Sequence, residues 1–133
     1  VRQRQQNCEK IIATLQGLSC VRFPESSENV FNSRYRLFGL VDDENSRNAT
    51  LRDKIINIFH QRGIPCFQGT CPEIYLEQAF LESDLVPPER LANAKHLSNC
   101  ALMFLVHHNL GSKDMELYCE VLDETINEIR NLH

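Results

Sequence analysis

The chain has 133 residues, 42% of them apolar and 24% charged, with a formal net charge of −4. That size fits one domain with one core, large enough to fold without staples. Acids and bases are interspersed, which speaks against a nucleic-acid binder with a basic face. No run approaches the ~20 apolar residues of a membrane helix.

Six cysteines are present: Cys8, Cys20, Cys66, Cys71, Cys100 and Cys119. Four sit in apolar runs or on apolar helix faces, and no Cys-x-x-Cys or zinc-type Cys/His spacing occurs. The expectation is reduced, mostly buried thiols packing as small hydrophobes. The chain begins Val1-Arg-Gln-Arg without a methionine. The expectation is that something upstream was removed.

Residues 3–16 read as a helix, with Cys8, Ile11, Ile12 and Leu15 on one apolar face. Gly17 suits the left-handed position that closes it. Residues 20–23 are extended and 25–32 are polar turn material. Residues 34–41 read as a strand, with Arg34, Arg36, Phe38 and Leu40 sharing one face and Tyr35, Leu37, Gly39 and Val41 the other.

Thr50-Leu-Arg-Asp53 has the form of a capping box, and Leu51, Ile55, Ile58 and Phe59 form the buried stripe behind it. Arg62 and Gly63 close that helix, and residues 64–67 run extended. Thr70-Cys-Pro-Glu73 has the form of a second capping box, opening a short helix to about Phe80. Pro87-Pro88 precedes a helix over 89–99 with Leu91, Ala94 and Leu97 inward. Residues 101–106 are continuously apolar, as in a central strand covered on both faces. Ser112 caps a last helix whose stripe is Met115, Tyr118, Cys119, Leu122, Ile126 and Ile129. The order is helix, strand, strand, helix, extended segment, two helices, strand, helix. It describes an α+β domain, a small sheet with helices packed on it.

Chemistry-bearing groups are sparse. The lysines are Lys10, Lys54, Lys95 and Lys113, none in an apolar run that would make it an imine-forming amine. There is no glycine-rich phosphate loop and no nucleophile–base order. His107-His108 follow the central strand, a position that either lines a cleft or simply turns in solvent. Arg34 and Arg36 beside Tyr35 are placed to grip phosphate or carboxylate, or to end a solvated strand. No catalytic and no metal-ligating residue is expected.

The segment Gly63-Ile-Pro-Cys-Phe-Gln-Gly-Thr-Cys-Pro-Glu-Ile-Tyr-Leu-Glu-Gln-Ala-Phe80 is distinctive. With Glu89-Arg-Leu-Ala-Asn-Ala-Lys-His-Leu97, Ala101-Leu-Met-Phe-Leu-Val-His-His-Asn-Leu110 and Asp114-Met-Glu116, it resembles the C-terminal part of DegT/StrS-type sugar aminotransferases. These are pyridoxal-phosphate enzymes of fold type I. The resemblance covers nearly the whole chain. It implies a single small domain over 1–133, with 1–17 as an inter-domain helix and a mainly antiparallel sheet covered by helices. The large domain, which carries the Schiff-base lysine and the cofactor site, is absent, so pyridoxal 5'-phosphate belongs to the parent enzyme and none is expected on this chain.

By the same analogy Arg34, Tyr35, Arg36, Gln68, Thr70, Cys71, Glu73 and His107 face the substrate cleft. The family's Tyr-x-x-Pro-x-His pattern near this loop is replaced by Phe67-Gln-Gly-Thr-Cys-Pro-Glu73. The implied parent is a cytoplasmic homodimer that moves an amino group from glutamate to a nucleotide-linked keto-sugar for lipopolysaccharide or other polysaccharides. Its partners are the missing large domain and the nucleotide sugar, with no nucleic acid and no membrane. The alternative is a stand-alone α+β ligand-binding or dimerisation module.

Overall fold

The computed structural model describes residues 1–42, 50–69, 71–83 and 85–131. Its elements follow the expected order. They are α1 (Arg2–Leu15), β1 (Val21–Arg22), β2 (Leu37–Val41), α2 (Thr50–Gln61), β3 (Cys66–Phe67), a 3₁₀ turn (Ile74–Leu76), α3 (Gln78–Leu81), α4 (Ala92–Cys100), β4 (Ala101–Phe104) and α5 (Ser112–Arg130). The fold is α+β, with an open four-stranded antiparallel sheet.

The sheet order is β1-β2-β4-β3. Leu37 lies opposite Phe104 and Leu40 opposite Ala101. On the other side of β4, Cys66 pairs with Phe104 and Phe67 with Met103. The continuously apolar run is therefore the central strand. Alternation along it sends Leu102 and Phe104 to one face and Met103 to the other. The first face is the core, where Leu37, Val41 and Cys66 join Ile11 and Leu15 of α1, Ile55 and Phe59 of α2, and Met115, Leu122, Ile126 and Ile129 of α5. The Phe59 and Phe104 rings meet edge to face at 5.7 Å. The expected stripes of α1, α2 and α5 point inward, with Tyr118 and Cys119 packed at the core's margin.

Helix α2 ends as expected. Gly63 has φ +75°, and the Ile64 amide donates to the Phe59 carbonyl at 2.8 Å, closing the last turn. Cys8, Cys20, Cys66 and Cys100 are buried.

Five local expectations are corrected. Gly17 is not in the left-handed region. Its carbonyl accepts from Arg130 Nε and Nη2 at 3.2 and 2.8 Å, and an added Cβ would stand 2.9 Å from Nη2, so a side chain there would push the guanidinium aside. The strand expected from Arg34 begins at Leu37, because Arg34 itself turns left-handed at φ +52°. The helix expected from Glu89 begins at Ala92; Arg90 is held by Glu73, and the Leu91 amide donates to the Tyr75 hydroxyl at 3.1 Å. Leu91 and Leu97, expected inward, are exposed. At α5 the cap is Gly111, whose amide donates to Asp114 Oδ2 at 2.9 Å, and Ser112 is the first helical residue.

Truncating Phe104→Ala leaves a cavity between α2 and the sheet. We expect it to cost about 3–5 kcal/mol, read as a fall in the urea unfolding midpoint at unchanged slope.

Candidate functional site

The expected site residues fall into two groups at opposite ends of the sheet. Because β2 and β4 run antiparallel, the chain before Leu37 and the chain after Phe104 lie at the same end. Arg34, Tyr35, Arg36 and His107 are there. Residues after Phe67 lie at the Ala101 end; a Cβ added to Gly69 would stand 3.5 Å from Ala101 Cβ. Gln68, Cys71 and Glu73 follow at that end, and Thr70 lies outside the described residues.

The first group rests on the irregular connection 23–36, long for two neighbouring antiparallel strands. Such connections commonly carry function. Asn32 shapes it. Its Oδ1 accepts the Arg34 amide at 2.9 Å, its Nδ2 donates to Ser26 Oγ at 3.2 Å, and its carbonyl accepts from Gln5 Nε2 of α1 at 3.4 Å. A groove of about 190 Å³ lies between this strap and α1, lined by Cys8, Ile12, Phe31 and Arg34 among others. Tyr35 projects outward and is 63% exposed. The Arg4 guanidinium lies 5.2 Å and that of Arg36 5.5 Å from its ring centre. At such exposed positions each cation–π contact contributes only ~0.5–1 kcal/mol, so both guanidiniums can turn to a ligand at little cost. Arg36 also donates from Nη1 to Met103 Sδ at 2.9 Å, which puts it on the sheet face away from the core. His107 is exposed, and its carbonyl accepts from Asn7 Nδ2 at 2.9 Å.

In the second group Glu73 does not cap a helix. Its carboxylate is buried and receives Arg90 Nε on Oε1 and Nη2 on Oε2, both at 2.7 Å, the Tyr75 hydroxyl on Oε1 at 2.8 Å, and Ser98 Oγ on Oε2 at 3.4 Å. The helix expected to about Phe80 is accordingly a 3₁₀ turn followed by the single turn of α3. With Arg90 on both oxygens and Tyr75 on one of them, Glu73 is committed to fixing the loop. Hydrogen bonding by Arg90, aided by Tyr75 and opposed by burial, holds its carboxyl down at about 2. Cys71 is exposed and donates to Glu77 Oε1 at 3.0 Å, which pushes its thiol above the ordinary range.

Sequence reasoning missed two polar anchors. Arg52, 5% exposed, donates from Nη1 to the carbonyls of Ser98 and Ala101 and from Nε to Asp53. Arg90 grips Glu73. The signal for both was a polar residue near an apolar helix face or a helix start, which sequence alone reads as solvated surface. Among the described residues no cluster of His, Cys, Asp or Glu is arranged to hold a metal, and no helix is long and apolar enough to cross a membrane. Lys10, Lys54, Lys95 and Lys113 are all exposed. None offers a desolvated amine for an imine, so these residues do not fit pyridoxal phosphate as a resident group.

No family model and no curated protein matches the sequence. Solved structures do. An aminotransferase from Psychrobacter cryohalolentis is 30% identical with TM-score 0.83, over 98% of this chain and 35% of its own. A DegT DnrJ EryC1 StrS aminotransferase from Brucella abortus is 20% identical with TM-score 0.67, over 99% of this chain and 31% of its own. DesV of S. venezuelae, solved with a ketimine intermediate, is 17% identical with TM-score 0.72, over 93% of this chain and 31% of its own. This is the C-terminal domain fold of DegT/DnrJ/EryC1/StrS-type aminotransferases. The chain spans about a third of the length of the solved chains it matches.

Two measurements check this geometry. Since pairing lowers the folded pKa of Glu73 to about 2, its contribution is full above the ordinary carboxylate range near ~4.3 and is lost as pH falls through about 2. The stability difference between the parent chain and Glu73→Gln should therefore shrink across that window. A difference independent of pH would contradict the pairing. For the thiols, iodoacetamide should modify Cys71 before the buried Cys8, Cys66 and Cys100. Glu77→Gln should speed that reaction at neutral pH by lowering the thiol pKa.

Proposed function

We propose that this chain is the small domain of a pyridoxal-phosphate-dependent aminotransferase that transfers an amino group from glutamate to a nucleotide-linked keto-sugar in lipopolysaccharide or other polysaccharide synthesis. The observation that carries the reading is the 30% identical, TM-score 0.83 match over 98% of the chain to an aminotransferase of which it spans 35%. The ketimine held by the DesV relative supports imine chemistry in the parent. The exposure of all four lysines supports a reading in which that chemistry is supplied from outside this domain. The cofactor supplies an electron sink, and the large domain holds it.

This domain's part is to form one wall of the cleft and exclude water. Arg34, Tyr35 and Arg36 face the substrate from one end of the sheet. Gln68 and Cys71 face it from the other, on a loop fixed by Glu73, and His107 lines the margin. No residue of the chain takes or gives the reacting proton. The parent works as a cytoplasmic homodimer.

The complete reading frame containing these residues, expressed and purified, should include a large α/β domain with an active-site lysine and show an imine absorbance with pyridoxal phosphate. Supplied with glutamate and a nucleotide-linked keto-sugar, it should release 2-oxoglutarate. A frame lacking such a domain overturns the enzyme reading. Amination of simple keto acids but of no keto-sugar overturns the substrate class.

A further inference from the structure

We propose that the segment 73–91 together with the outer side of α4 is a preformed docking face, and that its occupant is the large domain of the same polypeptide, through an apolar patch rimmed by lysine or arginine. The inference deepens the reading of this domain as one part of a larger aminotransferase and rests on it.

The first ground is apolar surface. Ile74, Leu76, Leu81, Leu85, Leu91 and Leu97 are all exposed, and among the described residues only Leu117 of the exposed leucines lies elsewhere. A single exposed leucine is ordinary on a monomer, but a group of them with a polar rim marks an interaction surface. Among the described residues of the segment, Tyr75 is the one buried apolar side chain. The exposed leucines therefore serve no core within this domain.

The second ground is preorganisation. Arg90 grips Glu73 at 2.7 Å and the Leu91 amide donates to the Tyr75 hydroxyl at 3.1 Å, so the two ends of the segment are tied side by side. Between them Ser83 Oγ donates to the Phe80 carbonyl at 2.7 Å and accepts the Leu85 amide at 3.3 Å. Polar contacts hold the apolar side chains outward before any partner arrives, and a face so fixed loses little order on docking. The third ground identifies the occupant. The exposed rim carries Glu77, Glu82 and Glu89 against Lys95, while Arg90 is committed to Glu73. Face-to-face contact of two copies would set acid against acid, so charge complementarity asks for a basic rim on a different surface. Helix α1, expected to join the domains, turns Gln6, Glu9, Lys10 and Ala13 outward and offers little apolar contact. The chain matches 35% of the similar Psychrobacter aminotransferase, so the larger part of an enzyme of that kind remains to supply the complementary surface.

Hydrogen–deuterium exchange tests the face. Amides between 74 and 91 should exchange about 10-fold or more slowly in the complete polypeptide than in this chain. Leu81→Ser with Leu85→Ser should remove that protection and leave the urea unfolding midpoint of this chain unchanged. Glu82→Lys should also weaken the protection, by setting a cation against the basic rim. Circular dichroism checks that each variant is folded, and Glu82→Lys remains decisive if the serine pair perturbs α3. Equal exchange in the two forms, or protection indifferent to all three substitutions, overturns the proposal. By sedimentation equilibrium this chain should be a monomer. A dimer abolished by the serine pair assigns the face to a second copy and overturns the proposal, as does protection in the complete polypeptide that vanishes when it is diluted to monomers. The two readings fail separately. Protection of 74–91 in a complete polypeptide that aminates no keto-sugar keeps the docking face and removes the function. An active sugar aminotransferase in which 74–91 exchanges as fast as in this chain removes the docking face and keeps the function.

Discussion

Arg52 is the constraint from which the arrangement around the sheet follows. Helix α4 passes into the central strand without a connecting residue, Cys100 closing the helix and Ala101 opening β4. The last carbonyls of α4 therefore need donors from another element. Arg52 reaches from α2 to the carbonyls of Ser98 and Ala101. A guanidinium 5% exposed is costly to bury alone. Asp53 at 2.7 Å and the two carbonyls give it the partners that make the burial tolerable. The positive charge also sits where the helix dipole is negative.

The other end of α4 is held in the same manner. Of its nine residues only Cys100 is buried, so the helix has almost no apolar face with which to adhere to the sheet. Arg90 on Glu73, and the Leu91 amide on Tyr75, fix where it starts. These contacts also fix the 3₁₀ turn and the loop behind β3, because Glu73 and Tyr75 lie on that segment. Helix α4 and the 68–73 loop are thus one mechanical unit, clamped by two arginines, while α1, α2 and α5 are held by ordinary burial.

This division explains what the sequence made legible. Elements held by burial advertise themselves through periodicity. The stripes of α1, α2 and α5, the run of β4 and the glycine closing α2 were readable because one face of each meets one core. Elements held by polar contacts carry no such pattern. Leu91 and Leu97 have helical spacing, yet α4 turns them outward because its position is set by Arg52 and Arg90. Glu73 satisfies a local capping pattern, but a bidentate arginine 17 residues away outcompetes a backbone amide for it. The Arg34–Arg36 pair stands out as a candidate from its residue types. Its placement was misjudged because the left-handed turn at Arg34 depends on the Asn32 side chain, and strand alternation does not describe it.

The antiparallel register also decides which face any shared ligand would use. The Arg34–Arg36 strap leaves from the Phe104 end of β4 and the 68–73 loop from the Ala101 end. Three residue steps at roughly 3.3 Å each separate those ends, about 10 Å along the strand. A molecule that touches both groups must lie over Phe38, Met103 and Phe67, since the opposite face is filled by the core. Arg36 reaches in along that face to the Met103 sulfur at 2.9 Å, and a Cβ added to Gly69 would stand 3.7 Å from the Phe38 ring, so the two segments approach each other over the middle of the sheet although their backbones leave from opposite ends.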